Sequence, residues 1–385
     1  MKVTLFCHSL RSCWNHGNAH FLRGVVSELC SRGHQVDVYE PEDAWSYQNL
    51  LREPEGRAAL AQVARAYPEV RPIPYRLETL DLDRALDGAD LVLVHEWNDR
   101  ELVRRIGDRR RTGSFRLLFH DTHHRAVTAP EQMAAYDLSH YDGVLAFGEA
   151  IRRIYLERGW AQRAFTWHEA ADIRVFRAVP TGGEVEDLVW IGNWGDEERT
   201  RELHEFLFDP TKALGLTGTV HGVRYPREGV EAVARAGLRF SGWLPNHRVP
   251  QAFARARFTV HVPRRPYAEA LPGIPTIRVF EALSCAIPLV CAPWEDCERL
   301  FTPGEDFLVA RNGEQMARHL RMLKHEPEVG AALASHGLAT ILSRHTCRHR
   351  VAELLTIVQS LEPSTRAAQR SPARSLTSPE GAAIE

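Results

Sequence analysis

The stretch GIPTIRVFEALSCAIPLV spans residues 273–290 and contains a single acidic side chain, Glu281, between Phe280 and Ala282. Its apolar residues predict a buried helix that runs into a buried β-strand. A lone buried carboxylate costs roughly several kcal/mol unless it is paired or hydrogen-bonded. We therefore expect Glu281 either to pair with an arginine or histidine of the core, or to accept hydrogen bonds from ligand hydroxyls such as a ribose diol.

The same alternation of short apolar runs and helical patterns extends over most of the chain. Uniformly apolar runs separated by helices are typical of parallel strands covered on both faces. The sequence therefore predicts an α/β fold of two tandem Rossmann-like domains with an interdomain cleft. Ligands bind beyond the carboxyl ends of strands in such sheets, so the residues that follow strands are the candidate site residues. The predicted strands are VTLFC (3–7), QVDVY (35–39), LVLV (91–94), RLLF (116–119), GVLAF (143–147), AFTW (164–167), LVWIGNW (188–194), TVHGV (219–223), RFSGW (239–243), FTVHV (258–262), IPLVCA (287–292) and FLVAR (307–311).

The first helix has the clearest sequence signals. Apolar residues recur at positions 22, 25, 26 and 29, which is the spacing of one helical face. Asn18 is predicted to cap the start of this helix, and Gly33 stands where a left-handed residue commonly ends one.

Four segments are predicted along the chain. Residues 1–177 form the N-terminal Rossmann-like domain and residues 187–345 form the C-terminal one, joined by a stretch of Pro, Gly and acidic residues at 178–187. Residues 346–362 predict a C-terminal helix that packs back toward the N-terminal domain. Residues 363–385 are rich in Ser, Pro, Ala and Arg with few large apolar groups, which predicts a disordered tail.

The composition excludes several classes of protein. A formal net charge of −2 in 385 residues provides no electrostatic footprint for nucleic acid, and no apolar run is long enough to span a membrane. Seven cysteines without a CxxC pair favour reduced thiols and a cytoplasmic location. Neither GxGxxG nor GxxxxGK[ST] is present, so neither the dinucleotide nor the P-loop mechanism is supported, and no cofactor is expected.

The loop after the first strand, SLRSCWNHGNAHF (9–21), is long and polar and contains Gly17. It leads into a helix whose unpaired N–H groups are able to bind an anion or a sugar hydroxyl. The alternative is an ordinary strand-to-helix loop with a glycine turn.

A dense polar run, HDTHHR at residues 120–125, follows the strand RLLF. We expect it to hydrogen-bond a substrate, with His120 nearest the strand end. A metal site would need three converging ligands, and this run lacks the helical i, i+4 spacing. The remaining alternative is a structural network that satisfies the backbone of the loop.

Two further loops have features of a phosphate site. Gly192, Asn193 and Gly195 precede three acidic residues and Arg199, so this segment is either a phosphate cradle or simply good helix-start chemistry. The loop at 263–275 leads into the helix TIRVFEALS, for which Pro275 suits the first position. Unpaired N–H groups are then expected at Gly273–Ile277, including that of Thr276, where a diphosphate would meet Arg264, Arg265 or Arg278.

Four segments together resemble a GT-B glycosyltransferase of the "group 1" class, and within it the CgeB-like (spore maturation protein-like) branch. They are LCSRGHQVDVYEP (29–41), YDGVLAFGEAIRRIYLERG (141–159), EAADIRVF (169–176) and LPGIPTIRVFEALSCAIPLVCAPW (271–294). The resemblance covers residues 1–360. In EAADIRVF, Asp172 and Phe176 match the family's motif, whereas its Asn-Gly pair is replaced.

The resemblance implies roles for particular residues. The family's motif has two glutamates separated by seven residues, and the second, which matches Glu281, holds the ribose. The first falls at Gly273, which has no side chain and therefore leaves the retention of anomeric configuration open. His120 matches a histidine near the donor sugar. The donor binds mainly in the second domain and the acceptor in the first, where Asn15, Gly17 and His20 form the acceptor-side loop, and no metal is needed.

The sequence therefore predicts a metal-independent transfer of a sugar from a nucleoside diphosphate to an unidentified acceptor: a polysaccharide, protein, lipid or small metabolite. His120 and Asp121 are the predicted catalytic residues, which position the sugar or help to deprotonate the acceptor. The rivals are a catalytically degenerate sugar or nucleotide binder, a nucleotide-sugar epimerase on the same fold, and a Rossmann oxidoreductase. The predicted donor-binding residues are Gly192, Asn193, Arg199, Arg264, Arg265, Gly273, Thr276, Ile277, Arg278 and Glu281.

Overall fold

A computed structural model describes residues 1–183 and 185–361. The predicted disordered tail at 363–385 lies outside the described residues, as does Glu184 of the predicted linker. The described residues form two sheets of parallel strands with intervening helices. The prediction of two Rossmann-like domains is therefore confirmed.

The first sheet has seven parallel strands in the order β3-β2-β1-β4-β5-β6-β7. In this order, the connection after β1 leads toward one edge of the sheet and the connection after β4 leads toward the other. A crevice therefore opens between the carboxyl ends of β1 and β4. The sequence pattern did not predict the edge strand β3, because this strand is three residues long and contains Pro74, which an edge strand tolerates. The strands are β1 (Lys2–Phe6), β2 (Gln35–Pro41), β3 (Ile73–Tyr75), β4 (Leu91–His95), β5 (Arg116–Asp121), β6 (Gly143–Ala146) and β7 (Ala164–Thr166).

The second sheet repeats this arrangement with six parallel strands in the order β10-β9-β8-β11-β12-β13. Its crevice lies between the ends of β8 and β11, for the same topological reason. The strands are β8 (Glu186–Ile191), β9 (Gly218–His221), β10 (Arg239–Phe240), β11 (Ala256–His261), β12 (Leu289–Cys291) and β13 (Leu308–Val309).

Helices connect the strands in both halves. Those of the first half are α1 (Asn18–Ser31), α2 (Trp45–Leu50), α3 (Gly56–Ala66), α4 (Leu82–Leu86), α5 (Arg100–Arg110), α6 (Arg125–Thr128), α7 (Pro130–Ala134) and α8 (Glu149–Glu157). Those that follow are α9 (Thr200–Leu203), α10 (Asp209–Leu214), α11 (Arg227–Arg235), α12 (Val249–Phe253), α13 (Ile277–Ser284), α14 (Gly313–His325), α15 (Pro327–Arg344) and α16 (Cys347–Ser360), with π-helical turns at His204–Phe208 and Pro266–Ala270 and a 3-10 turn at Asn246–Arg248.

The first helix shows one correct and one wrong prediction. Gly33 follows the helix in the left-handed region, with φ of 78°, as predicted. Asn18 is not the cap, because Gly17 occupies that position and makes no side-chain cap. The Asn18 amide instead donates to the carboxylate Oε1 of Glu169, 3.0 Å away. The local sequence predicts that the Asn18 side chain caps the helix, but this side chain makes a long-range contact instead.

The C-terminal helix α16 packs on the first domain, against α1. Trp167, which follows β7, donates its indole N–H to the backbone carbonyl of Arg350 at 2.8 Å. The two helices approach closely at Gly24, where an added Cβ would lie 2.4 Å from the Cys347 sulfur. The end of the chain thus returns to the first domain after the second sheet is complete.

The two domains also share apolar packing. One buried cluster contains Leu5 and Phe21 of the first domain together with Ile277 and Phe280 of the second. Since α13 and α1 both contribute to this cluster, the loops that precede them are held close to each other. In the described part of the chain, no helix is both long enough and apolar enough to cross a membrane.

Candidate functional site

A cavity of about 780 Å³ lies between the two domains. The first domain contributes the loop after β1 (residues 13–18), the loop after β5 (122–124) and Glu169. The second domain contributes the loop after β8 and the start of α13 (276–278), among other segments. Both crevices predicted by the strand orders therefore open into one cavity, which is the candidate functional site.

Arg199 is a half-buried cation on the second-domain wall of this cavity. It donates Nη1 to the Val262 carbonyl at 3.0 Å and Nη2 to the Asn193 carbonyl at 2.7 Å. Within the described residues its Nε has no hydrogen-bond partner and its guanidinium has no ion pair. Burial lowers the pKa of Arg199 to about 10, so it is still charged at neutral pH. A cation that is partly shielded from solvent and has no ion pair favours an anionic ligand.

Two further predicted arginines line the cavity, and each has an acidic partner. Arg264 pairs with Glu198, and Arg278 pairs with Glu281 three residues further along α13. Arg264 thus offsets one of the acidic residues that follow Gly195. The neighbouring Arg265 does not line the cavity; it pairs with Glu202 at 3.1 Å.

The start of α13 differs from the sequence prediction. Helix α13 begins at Ile277 with Thr276 as its cap residue, so Pro275 lies before the helix rather than at its first position. The Thr276 hydroxyl bonds to His261 Nε2 at 2.9 Å. The Gly273 N–H donates to the Glu295 carbonyl at 2.8 Å, so the expectation that it is unpaired is wrong. Thr276, Ile277 and Arg278 do line the cavity.

The backbone conformation and the packing at position 273 require a glycine. Its φ of 85° lies in the left-handed region, and a Cβ there would come within 2.7 Å of Glu298 Cγ. The Glu298 carboxylate accepts from the Glu149 N–H at 2.9 Å and bonds to His168 Nε2 at 2.8 Å. The place of the missing motif acid is therefore occupied by a contact between the domains.

Glu281 is fully buried and does not line the cavity. It bonds to His20 Nδ1 at 2.9 Å and to Arg278, and Asn246 lies 3.5 Å away. The His20 ring is fully buried, accepts from the Asp172 N–H at 2.9 Å and stacks on Phe176. Of the two expectations for Glu281, pairing inside the protein is what the structure contains. His20 serves this pairing and does not line the cavity.

Burial raises the pKa of Glu281, but the charge of Arg278 and the hydrogen bond from His20 outweigh it, so the net shift is downward. Glu281 is therefore a carboxylate held in its charged form by one residue from each domain. This pairing fixes α13 against α1 across the domain boundary.

The two predicted catalytic residues lie behind the cavity wall. The His120 side chain is fully buried and packs between Trp167 and His95, and its ring nitrogens have no hydrogen-bond partner among the described residues. Burial lowers its pKa to about 3, so His120 is neutral. Asp121 accepts from the Tyr155 hydroxyl at 2.8 Å, and burial followed by the charge of Glu96 raises its pKa well above its usual range.

The residues of the HDTHHR run that reach the cavity are the later ones, Thr122, His123 and His124. The strand β5 continues through Asp121, so the first two residues of the run belong to the sheet rather than to the loop. Burial, followed by the charges of His124 and nearby arginines, lowers the pKa of His123 to about 2. His124 Nδ1 bonds to the Thr128 hydroxyl at 2.9 Å, and its Nε2 lies 3.6 Å from Glu198.

Glu169 also lines the cavity, although no sequence motif predicted it as a site residue. It follows β7 by three residues, which is the signal that would have placed it among the candidates. Burial is the main reason that its pKa is raised to about 8; the Asn18 hydrogen bond opposes this shift and Glu281 reinforces it.

The remaining predicted residues are brought together at the cavity. Asn15 and Gly17 from the first domain and Gly192 and Asn193 from the second all line it. The Asn193 amide donates to the Asn15 side chain across the boundary. Of the residues that the structure describes, no three His, Cys, Asp or Glu side chains are grouped so that they could hold a metal ion.

Comparison with known proteins agrees with this architecture. The sequence profile of the family described as "Glycosyl transferase-like" matches residues 199–356. No curated protein matches the sequence. The comparison with solved structures, by contrast, finds several similar folds.

Sucrose-phosphate synthase from Thermosynechococcus elongatus is 13% identical with a TM-score of 0.64, over 96% of this chain and 100% of the other. Anabaena HepE in complex with UDP-glucose is 14% identical with a TM-score of 0.62, over 93% and 100%. T4 phage BGT in complex with its UDP-glucose substrate is 13% identical with a TM-score of 0.58, over 94% and 100%. The chain thus has the GT-B fold, with a glycosyltransferase-like second half.

Proposed function

We propose that the protein is a glycosyltransferase that moves a sugar from a nucleoside diphosphate to an acceptor hydroxyl without a metal ion. The observation that carries this proposal is Arg199, a half-buried cation that lines the interdomain cavity and has no ion pair among the described residues. A diphosphate supplies the negative charge that this cation lacks.

The chemistry requires charge stabilisation at the leaving group. When the bond between the anomeric carbon and the diphosphate breaks, negative charge grows on the diphosphate oxygens. Arg199 and Arg264, together with Arg278 at the start of α13, are positioned on the cavity wall to offset it. Donors fixed before the reaction need no reorganisation, and such preorganised groups typically contribute strongly to catalysis. The same cations explain how this wall could work without a metal ion.

The compared structures support a nucleotide sugar as the donor, since HepE and BGT are described as complexes with UDP-glucose. The first-domain wall of the cavity, with Asn15 and the loop at 122–124, is left for the acceptor. The base, the sugar, the acceptor and membership of the CgeB-like branch remain predictions. A cytoplasmic location also stays a prediction, consistent with seven free cysteines.

Arg199→Gln tests the proposal. We expect its affinity for UDP to fall by about 30-fold, because a charged donor to phosphate contributes roughly 2 kcal/mol. The measurement is calorimetric titration, after thermal shifts with UDP, GDP, CDP, dTDP, ADP and NAD. The control is Arg257→Gln, a strand arginine outside the cavity wall whose side chain is half exposed and lies 3.7 Å from Asp187. No stabilisation by any diphosphate would contradict the proposal, and a shift with NAD alone would favour an oxidoreductase.

A non-catalytic sugar-nucleotide binder is the second candidate. It is favoured by Gly273, where the motif acid is replaced and its place is filled by Glu298. Tight UDP binding with neither transfer nor slow hydrolysis of UDP-sugars would support this alternative.

A further inference from the structure

Glu169 stands on the first-domain wall of the cavity with only 6% of its surface exposed. Its Oε1 accepts from the Asn18 amide at 3.0 Å, and the backbone of Ile277, at the start of α13 in the second domain, lies near the carboxylate. A carboxylate has about four lone-pair sites, so roughly three remain for a ligand. The geometry therefore holds one carboxylate between the two domains, at the edge of the cavity.

No cation compensates Glu169 in the described part of the chain. Two of the arginines that line the cavity already have acidic partners: Arg264 pairs with Glu198, and Arg278 pairs with Glu281. Buried carboxylates are normally paired unless they have a chemical task. Glu169 differs from the other acids of the domain boundary in this respect, since Glu298 has His168 and Glu281 has His20.

The groups that face Glu169 come from several elements. Asn18 is on α1, Glu281 is behind it on α13, and the Tyr267 hydroxyl is on the π-helical turn at 266–270. Arg350 on α16 donates to the backbone carbonyl of Glu169 at 3.3 Å, not to its carboxylate. The charged group that acts on the pKa of Glu169 is thus another carboxylate, Glu281, and its negative charge disfavours the ionisation of Glu169.

We propose that Glu169 is the general base that takes the proton from the acceptor hydroxyl. This inference rests on the proposed glycosyltransferase function and assigns one residue of its site. The hydroxyl proton moves to the Glu169 carboxylate, and the freed electron pair of the oxygen forms the bond to the anomeric carbon. The bond from that carbon to the diphosphate breaks, and its electron pair leaves with the diphosphate toward Arg199.

The histidines of the cavity are weaker candidates for this step. A general base works best when its pKa lies near the working pH. His123 has a pKa lowered to about 2 by burial, whereas that of Glu169 is raised to about 8. The pKa of His16 is also lowered well below its usual value, mainly by burial. His124 Nδ1 already bonds to the Thr128 hydroxyl, and burial lowers the pKa of this histidine as well.

The test compares Glu169→Gln with the wild-type protein, using UDP-glucose as the probe for transfer to water or an acceptor. We expect turnover to fall by about 100-fold or more, while UDP still binds within about threefold. The wild-type rate should rise between about pH 6 and pH 9 as Glu169 ionises, and the variant should lose this rise. Glu169→Asp should keep the pH dependence at a lower rate, because the carboxylate remains.

The matched control is Asp187→Asn, a buried carboxylate paired with Lys324 away from the cavity, which should leave turnover per folded molecule unchanged. If Glu169→Gln keeps wild-type turnover and the same pH profile, while UDP and UDP-glucose are still used, the assignment of Glu169 is wrong and the proposed function stands. If none of the nucleoside diphosphates in the thermal-shift panel stabilises the wild-type protein and UDP-glucose is not cleaved, the proposed function is contradicted and the assignment fails with it.

A second readout does not depend on activity. UDP affinity in the wild-type protein should weaken from about pH 7 to pH 9, since an ionised Glu169 adds negative charge to the cavity. In Glu169→Gln this weakening should be absent. An equal weakening in both proteins would overturn the inference that Glu169 titrates beside the ligand.

Discussion

Two carboxylates at the domain boundary, Glu281 and Glu169, are both buried yet have opposite electrostatic surroundings. Glu281 has Arg278 and His20 as partners, and its pKa is lowered. Glu169 has the amide of Asn18 but no cation among the described residues, and its pKa is raised. The comparison teaches that burial alone does not assign a role: the partners decide whether an acid holds the fold together or stays available for chemistry.

The two acids also differ in what they face. Glu281 lies in a packed layer between α1 and α13, where His20 stacks on Phe176 with ring centroids 3.6 Å apart. Glu169 borders the cavity and keeps 6% of its surface exposed. We therefore expect changes at Glu281 to appear in stability and changes at Glu169 to appear in function.

The largest expected effect comes from Glu281→Gln. Removing one charge of a buried pair typically costs about 3 kcal/mol, because Arg278 and His20 lose their partner. Urea denaturation should show this loss, while Glu169→Gln should change the free energy of unfolding by less than about 1 kcal/mol near pH 5. Similar losses in the two variants at that pH would break the distinction between the paired and the unpaired acid.

The pH dependence of stability gives a second way to distinguish Glu169 from Glu281. The pKa of Glu169 is about 8 in the folded protein, which is above its value in the unfolded chain. At a pH between these two values, the folded protein therefore binds one more proton than the unfolded chain. Stability should therefore fall as pH rises, by up to about 1.4 kcal/mol per pH unit between about pH 6 and pH 7. Glu169→Gln should remove this slope. An unchanged slope in the variant would show that another group titrates.

The smallest expected effect separates two adjacent arginines. Arg264 lines the cavity, whereas Arg265 points to Glu202 outside it. Arg264→Gln should weaken UDP binding about fivefold, or roughly 1 kcal/mol, since Arg264 is partly neutralised by Glu198. Arg265→Gln should stay within about twofold by the same titration. Equal effects would show that proximity to the cavity wall does not determine the contribution of these cations.

Much of the fold was predictable because it depends on local pattern. Short apolar runs separated by helices predicted twelve of the thirteen strands, and strand ends predicted which loops meet at the cavity. Gly33 was predicted correctly because a left-handed backbone conformation is a property of one residue and its neighbours. The strand β3 was not predicted from the sequence, because a strand of three residues that includes a proline is too short to show an alternating apolar pattern.

The sequence by itself thus determined the α/β class, the two-domain organisation and the loops that carry the site, because these follow from periodicity and from the order of elements. Only the tertiary structure decided which side chains work together. His20 and Glu281 are 261 positions apart, and Asn18 and Glu169 are 151 apart, so no local pattern connects them. The strand β5 extends through Asp121 and turns His120 into the core, so the cavity receives His123 and His124 instead. Packing of two domains against each other, rather than the chemistry of any single segment, placed Glu169 at the cavity and left it without a cation among the residues that the structure describes.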